Sequence, residues 1–399
     1  ETFVIGGWVP GEGRRRERIG ALLVGERDER AHQRHDGRVG TGFTEATLED
    51  LSARLVPLER PDNPFDAGPK PPKNSVFVEP VLHADVEYRE RTRTRTLRAP
   101  SFKGLREDRT VKFSNLDKVL YPKAQPAGFT KGQVIEYYAA IAPAIVPHLA
   151  GRPLTLKRYP DGVEGKFFYE KQCPSHRPEW VRTAPIQASR KTIEFCVVDD
   201  EPTLLWLANL AALELHASLA RAEAIDMPTT VVFDFDPGPG LGILDCCEVA
   251  LWVRDAFAGL GLRTFVKTSG SKGLHAQVPL NSGVTYAQTK PFAKAVAELM
   301  EKHHPERVVS RMTKRLRENR VLVDWSQNDE SKTTVCAYSL RAREHPTVST
   351  PVTWDEVEAA LEAGDEDALR FEAPDVIERV HRHGDLMAEV LTLRQELPG

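Results

Sequence analysis

Three absences narrow what this sequence can encode. No apolar run approaches the roughly 20 residues that a membrane-spanning helix needs, so we expect no membrane partner. The five cysteines are an odd number without metal-ligand spacing, which argues against a disulfide framework and a zinc site. A reducing cytoplasm is therefore the expected location. The phosphate-binding order Gly-x-x-x-x-Gly-Lys-Ser is also missing, which excludes that type of nucleotide loop.

The overall charge gives no sign of nucleic-acid binding, because the formal net charge is −4. The distribution of charge is uneven, however. Arginines recur at Arg89, Arg91, Arg93 and Arg95, and a strand would place all four on one face. The C-terminal stretch is acidic by contrast. The pattern predicts one sheet face that can meet phosphates.

The first part of the chain has the pattern of a β-rich domain. A chain of 399 residues exceeds the roughly 100–200 residues of an ordinary domain, so we expect two or three domains. Residues 1–108 alternate short strands with glycine-rich turns, which predicts a small β-barrel. The predicted strands are residues 3–8, 21–25, 76–81 and 85–93, and one helix is predicted over residues 45–55.

The rest of the chain, residues 109–399, alternates helices and strands, which predicts an α/β domain with an acidic helical tail. Helices are predicted over residues 131–149, 203–222, 247–259 and 286–303, and again from about residue 353. Strands are predicted over residues 154–158, 229–235, 263–268, 276–279 and 321–325. Because residue 1 is Glu and not Met, we expect the chain to be part of a longer protein.

The strongest chemical signal is a pair of carboxylates. Residues 230–236 form an apolar strand that ends in Asp234 and Asp236. Side chains two positions apart in a strand share a face about 7 Å apart, which suits two divalent cations about 4 Å from each other. Asp324 ends a second apolar strand that can lie beside the first, and hard oxygen ligands select Mg²⁺ or Mn²⁺. The alternative is that both aspartates only bond the following turn.

A loop over residues 267–275 suits phosphate binding. It is rich in Gly, Ser and Lys, and Ser269, Lys272 and His275 offer a hydroxyl, a point charge and an imidazole donor. By itself such a loop is equally typical of a solvated turn. Two further candidates, Arg341 and Arg343, alternate along a predicted strand and can grip outer phosphates, unless they form a salt-bridged surface.

Three weaker signals concern the base, the sugar and a DNA phosphate. The aromatic run at 167–169 can stack on a base, although core packing explains at least one ring. His216, at the end of a predicted apolar helix, is either a ribose or phosphate contact or a packing residue. Asn115 and Lys118 would share a helical face and can meet one phosphate, or they start a helix with Lys118 in water.

These motifs together resemble a known family. Asp234, Asp236, the loop at 269–275 and Asp324, in that order, resemble the catalytic signature of the archaeo-eukaryotic primase superfamily. The polymerase domain of bacterial ligase D, the ATP-dependent DNA ligase of nonhomologous end joining, is similar to residues 113–122, 167–171, 233–238, 268–275, 324–328 and 338–346. The OB-fold that ends a ligase module is similar to residues 3–8, 37–43 and 102–109, with Arg109 where lysine is usual.

The resemblance implies roles for individual residues. Asp234, Asp236 and Asp324 would bind two Mn²⁺ or Mg²⁺ ions, and Asp324 would help to activate the primer 3′-hydroxyl. Phe168 would stack on the incoming base. The triphosphate would be held by Lys157, Ser269, Lys272, His275 and Arg341. A 5′-phosphate at the break would be gripped by Asn115, Lys118 and Lys131.

The resemblance also implies a function and partners. The fold would be a primase-like α/β (α+β) catalytic domain behind an OB-fold β-barrel, adding nucleotides, with ribonucleotides preferred, to DNA ends in the nucleoid of a bacterial cytoplasm. A Ku-type end-binding protein would be a partner. Because no Lys-x-Asp-Gly occurs, the lysine that carries AMP is missing, and the ligase adenylation domain would lie upstream of this chain. The alternatives are a catalytically inactive DNA-end binding module and a complete DNA ligase.

Overall fold

The computed structural model of the protein describes residues 1–11, 18–27, 33–92, 95–106, 109–188 and 191–398. Contacts within the chain separate two compact units, Glu1–Thr110 and Val111–Gly399. Among the described residues, no helix is long and apolar enough to cross a membrane.

The first unit is built around one long strand. Its described elements are β1 (Thr2–Pro10), β2 (Ile19–Arg27), β3 (Gln33–Val39), α1 (Glu45–Leu55), β4 (Glu59–Arg60), β5 (Val76–Val78), β6 (His83–Glu87), β7 (Glu90–Arg91), β8 (Leu97–Arg98) and β9 (Ser101–Arg106). The strand order is β3-β2-β1-β5-β4, and β6 pairs with both β1 and β9. Strand β1 therefore pairs with β2, β5 and β6. Its alternate side chains, such as Phe3 and Ile5, lie in the core of the unit.

The expected arginine face is wrong. Strand β6 ends at Glu87 and β7 covers only Glu90–Arg91, so no single strand carries the four arginines; Arg93 lies outside the described residues. The Arg91 guanidinium is already paired with Glu26 and lies 2.7 Å from a carboxylate oxygen of Glu1. These pairs leave Arg91 little capacity to bind a phosphate.

The described residues of the second unit form two larger sheets, each with its own helices, and two two-stranded sheets. Its elements are β10 (Val119–Tyr121), β11 (Phe129–Thr130), α2 (Lys131–Leu149), β12 (Leu154–Arg158), β13 (Phe168–Glu170), β14 (Thr183–Gln187), β15 (Thr192–Cys196), α3 (Glu201–Asn209), β16 (Ala212–Ala217), β17 (Thr230–Pro237), α4 (Ile243–Gly259), β18 (Phe265–Thr268), β19 (Leu274–Pro279), α5 (Tyr286–His303), β20 (Val308–Val309), β21 (Val321–Asp324), β22 (Thr334–Val335), β23 (Pro351–Val352), α6 (Trp354–Ala363) and α7 (Ala373–His383).

The larger sheet has the order β20-β21-β17-β19-β18-β23, and helices α4, α5 and α6 contribute to its core. The smaller sheet has the order β13-β12-β16-β22, with α2, α3 and α7 in its core. Each sheet buries one apolar face against helices, because a half-buried sheet needs a second layer. The unit is therefore a mixed α/β fold, as the alternation of its elements predicts.

The predicted helix over 203–222 is wrong in its second half. Helix α3 ends at Asn209, Ala211 adopts a positive φ of 55°, and the chain returns as strand β16. An apolar run is compatible with either element, and here antiparallel pairing with β12 makes it a strand. His216 consequently lies on a strand and not at a helix end.

Three other local predictions are wrong. The expected strand over 339–343 is reduced to a single bridge between Leu340 and Val348. No helix contains Asn115, which has a positive φ of 52° in a turn closed by the Lys118 amide. The structure joins Cys173 to Cys196 by a disulfide, against the expectation from cysteine spacing. The Leu340–Val348 bridge and the Cys173–Cys196 disulfide depend on segments that are not adjacent in the sequence. The Asn115 turn is local, and asparagine adopts a positive φ more readily than most residues.

The buried Asn328 side chain hydrogen-bonds to the backbone of Val232 in β17, as a neighbouring strand would. Its Oδ1 accepts the Val232 amide at 2.9 Å, and its Nδ2 donates to the carbonyls of Val232 and Trp325. Asn328→Ala should destabilise the protein by about 2–4 kcal/mol, because the Val232 backbone loses both partners in a buried site. Denaturant unfolding measures this cost. Asn209→Ala, which loses its bonds to the Ser114 amide and the Lys112 carbonyl at a half-buried position, should cost less, and an equal cost would contradict the argument.

Candidate active site

The three predicted carboxylates meet at the edge shared by two strands. Strands β17 and β21 are antiparallel, and their register sets Asp234 directly opposite Asp324. Opposed residues have Cβ atoms about 4.5–5.5 Å apart. Asp236 lies two positions further along the same face, while Phe235 between them is fully buried. The strand register thus places three acidic residues at neighbouring positions on one face of the sheet.

The electrostatics of the three acids differ. Burial raises the pKa of Asp236 to about 6, and the carboxylates of Asp234 and Asp324 add to the effect. Burial also disfavours the charged form of Asp234, but His275, Lys267 and Arg341 outweigh it and lower the pKa of Asp234. Pairs of carboxylates whose mutual repulsion disfavours a charge on both are common in catalytic sites.

Asp234 has a histidine opposite it on its other side. The register of β17 and β19 pairs Asp234 with His275, whose Nε2 lies 3.2 Å from Asp234 Oδ1. His275 Nδ1 lies 3.2 Å from the Nζ of Lys267, which donates to Ser349 Oγ at 2.6 Å. Burial lowers the pKa of Lys267 to about 7. The imidazole is therefore held between a carboxylate and a buried amine.

The acidic cluster suits a divalent cation. The 3.2 Å contact with His275 lacks hydrogen-bond geometry, so buried Asp234 Oδ1 has no hydrogen-bond partner. Asp324 is held in place by the amide of Ser326 at 2.7 Å. In the described part of the chain, no three His, Cys, Asp or Glu side chains are gathered into a ready-made metal centre. An ion here would complete its shell with water and substrate oxygens, as Mg²⁺ usually does.

The candidate phosphate loop connects β18 to β19. The Ser269 hydroxyl accepts the amides of Ser271 and Gly273 at 3.2 and 3.1 Å, so two amides are used inside the loop. Any side chain at Gly273 would place its Cβ 1.9 Å from the Phe235 carbonyl. This close approach ties the loop directly to the carboxylate strand. Lys272 is exposed at its tip.

Arg341 and Arg343 both lie beside this loop, although the strand predicted to carry them is absent. Arg341 donates to the Ser269 carbonyl and is largely buried, with 14% of its side chain exposed. Arg343 lines a cavity of about 460 Å³ with Lys272 and Arg370. Arg341 thus supports the loop, whereas Arg343 faces open space next to it.

The aromatic run divides between the two faces of strand β13. On one face, the Lys157 ammonium lies 4.5 Å from the Phe167 ring centroid and within 5.7 Å of those of Tyr159 and Tyr169. Phe168 lies on the other face, with Arg158 over its ring at 5.1 Å. Tyr169 shares the face of Lys157 and is exposed, whereas Phe167 is already stacked on Tyr159 with ring centroids 5.2 Å apart.

The three candidate contacts for a DNA phosphate also cluster. The Lys131 amide donates to the Lys118 carbonyl, and the buried Lys131 ammonium donates to the Ser114 carbonyl at 2.6 Å. Burial and the nearby Lys118 charge lower the pKa of Lys131. Lys118 is paired with Asp161 at 2.9 Å. Two neighbouring ammonium groups and exposed Asn115 form a site that favours an anion.

Comparison with known proteins decides the family. Residues 130–387 match the LigD primase-polymerase domain. The chain belongs to this family. Residues 15–109 match the C-terminal region of ATP-dependent DNA ligases. The resemblance drawn from the motifs is therefore confirmed.

Relatives of this LigD-type chain are much longer proteins. The multifunctional non-homologous end joining protein LigD of Mycolicibacterium smegmatis is 41% identical over 287 residues, which are 71% of this chain and 36% of the relative. The protein of the same description from Pseudomonas aeruginosa is 31% identical over an alignment of 399 positions that covers 90% of this chain and 46% of the relative. The chain thus spans less than half the length of these relatives.

A solved structure matches the second unit of the LigD-type chain. The polymerase domain of Mycobacterium tuberculosis ligase D, in complex with DNA, has a TM-score of 0.66 and 39% identity. The match covers 72% of this chain and 100% of that domain. The mixed α/β fold is therefore that of the LigD polymerase domain.

Sequence reasoning missed Glu214, which the structure places among the candidate nucleotide contacts of the LigD-type unit. Glu214 is buried and contacts Lys157, His216 and Arg341. Residues 212–217 alternate apolar and polar side chains, and that period of two would have put Glu214 and His216 on one face. Reading the segment as a helix concealed this signal.

Proposed function

We propose that the unit Val111–Gly399 is a nucleotidyltransferase that adds nucleotides to DNA ends during repair of double-strand breaks by nonhomologous end joining. The observation that carries the proposal is the register that sets Asp324 opposite Asp234, with Asp236 on the same face and the loop at 269–273 alongside. Membership of the LigD primase-polymerase family supports it. We further propose that ribonucleotides are preferred.

The mechanism relies on position and charge. Asp234, Asp236 and Asp324 would hold two Mn²⁺ or Mg²⁺ ions. When bound, these ions would lower the pKa of the primer 3′-hydroxyl and neutralise negative charge on the departing pyrophosphate. His275, whose ring lies between Asp234 and Lys267, would keep the Asp234 carboxylate in place. Lys272 reaches the phosphates from solvent. Phosphoryl transfer needs little covalent chemistry from the protein, so such an arrangement suffices.

One experiment separates this function from its alternatives. Extension of a gapped primer by the chain with Mn²⁺ and a ribonucleoside triphosphate is the expected result. An inactive DNA-end binding module would bind the gap and add nothing. Self-adenylylation with labelled ATP tests for a complete ligase, and we expect no label in this chain because Lys-x-Asp-Gly is missing.

The proposal extends to the parent protein and to its partners. We propose that Glu1–Thr110 is the OB-fold β-barrel that ends a ligase module, and that an adenylation domain precedes it in the parent protein. DNA ends and a Ku-type end-binding protein would be the partners in the bacterial nucleoid. The match of residues 15–109 to the ligase C-terminal region supports the first of these assignments.

Lys272→Ala should raise the KM for the nucleotide and lower kcat, together by about tenfold, because an exposed ammonium stabilises charge that grows in the transition state. Steady-state primer extension measures both constants. Lys302→Ala, an exposed lysine in the last turn of α5, is the control and should change neither constant. Equal kinetics in the two variants would make the loop an ordinary surface turn.

Lys118 and Asp161 provide opposite tests of the 5′-phosphate site. Lys118→Ala should weaken binding to a 5′-phosphorylated gap by about tenfold and lower the salt dependence by about one contact. Asp161→Asn should strengthen the same binding, because Asp161 competes for the Lys118 ammonium in the free protein. Fluorescence anisotropy with phosphorylated and unphosphorylated DNA measures both effects. Equal losses on the two DNAs would make Lys118 a general backbone contact.

A further inference from the structure

A buried carboxylate connects the candidate nucleotide contacts to one another. Glu214 on strand β16 is 2% exposed. One of its oxygens, Oε1, accepts the Ala342 amide at 3.1 Å and lies 3.5 Å from Lys157 Nζ. The other, Oε2, lies 2.9 Å from His216 Nε2 and 3.4 Å from Arg341 Nε. Each oxygen thus has two partners from different segments.

The Ala342 amide and the Lys157 ammonium donate to Glu214, whereas Arg341 forms an ion pair with it without a hydrogen bond. A backbone amide, an ammonium and a guanidinium can only donate, and a carboxylate can only accept, so His216 Nε2 must carry a proton. Burial would raise the pKa of Glu214, but the His216 hydrogen bond and the charges of Arg341 and Lys157 hold it well below its usual range. Glu214 is therefore an anion within this group.

Glu214 is also rigidly supported. Strand β16 lies between β12 and β22, and its register pairs Glu214 with Lys157. The flanking residues Leu213 and Leu215 are 0% and 1% exposed, which fixes the backbone in the core. The Ala342 amide ties the neighbouring Arg341 segment to the same carboxylate.

We propose that Glu214 is the positioning residue of the nucleotide site. Its carboxylate orients Lys157, His216 and Arg341 and reduces the repulsion between the Lys157 and Arg341 cations before the triphosphate arrives. Ordering these side chains in advance lowers the entropy that nucleotide binding must lose. This inference rests on the proposed function, because it takes the incoming anion to be a nucleoside triphosphate.

Glu214→Gln is the direct test. The amide oxygen should stay at the Oε1 position, since neither the Ala342 amide nor Lys157 can accept a hydrogen bond. The amide NH₂ then faces His216 and Arg341, so His216 should move its proton to Nδ1 and Arg341 should lose its partner. We expect nucleotide affinity to fall by about tenfold or more, with DNA affinity unchanged.

Asp385→Asn is a matched control. Asp385 is a largely buried carboxylate that also accepts a histidine, His148, together with the Tyr338 hydroxyl and the Met387 amide. None of these partners is a candidate nucleotide contact. The variant should lose thermal stability and keep its nucleotide KM. An equal rise in KM in both variants would reduce Glu214 to a generic structural carboxylate.

Two measurements on the full chain complete the test. Titration with a fluorescent ribonucleoside triphosphate, without primer, gives affinity for the wild type, Glu214→Gln, Arg341→Met and the double variant. The Glu214→Gln effect should shrink to within about twofold in the Arg341→Met background, because coupled residues are not additive. If the double variant loses affinity by the product of the two single losses, the inference is overturned. A wild type that binds no nucleotide would overturn the proposed function instead.

The ¹⁵N chemical shifts of His216 in the wild type keep the inference testable even if Glu214→Gln does not fold. An Nε2–H tautomer is the expected result. An Nδ1–H tautomer would mean that Glu214 does not accept from this ring, and the inference would fall.

Discussion

Asp234→Asn and Asp236→Asn should each abolish nucleotide addition, with kcat lower by at least about 10³-fold, because each removes a charged oxygen ligand and keeps the side-chain volume. DNA affinity should change by less than about twofold, since no phosphate contact is lost. Primer extension with Mn²⁺ and a ribonucleotide measures the first effect, and fluorescence anisotropy measures the second.

Asp255→Asn controls for the loss of any acidic side chain from this unit. Asp255 is exposed on helix α4 and pairs only with Arg254 in the described residues, so activity should not change. Full activity in either active-site variant would contradict the assignment of Asp234 and Asp236 as metal ligands. Anomalous scattering from Mn²⁺ that appears away from Asp234, Asp236 and Asp324 would count equally against it.

Arg341→Met should lower kcat/KM for the nucleotide by about 10²- to 10³-fold. Arg341 joins the phosphate loop to Glu214, so its loss removes a cation and also loosens the loop. Steady-state primer extension at several nucleotide concentrations measures the change. Arg343→Met is the comparison and should have a smaller effect, because Arg343 only lines the adjacent cavity. The reverse order of severity would mean that the two roles are exchanged.

The helices that were predicted with correct bounds carry their own end signals. Helix α2 begins where Thr130 and Gln133 form a capping box, and α5 begins where Thr285 and Gln288 do the same. Such caps act within three residues, so the local sequence contains them in full. Strand β17 was also predicted from a local signal, because its apolar residues and its terminal carboxylates are neighbours in the sequence.

The prediction of residue 212–217 as helix shows the opposite case. Its apolar residues continue the apolar run of α3, which concealed the alternation of residues 213–217, and the pairing with β12, more than fifty positions earlier in the chain, makes the segment a strand. The Cys173–Cys196 disulfide also joins residues that are 23 positions apart. Local propensity is a weak signal where long-range contacts compete with it.

The sequence alone determined which chemical groups are available: two aspartates at a strand end, a third on another strand, and a loop rich in Gly, Ser and Lys. The period-two geometry of a strand already places Asp234 and Asp236 on one face. Only the tertiary structure decided that Asp324 lies opposite Asp234 and that Glu214 meets Arg341, because strand register and packing bring together residues far apart in the chain. Side-chain chemistry is local, whereas the geometry of a site is a property of the whole fold.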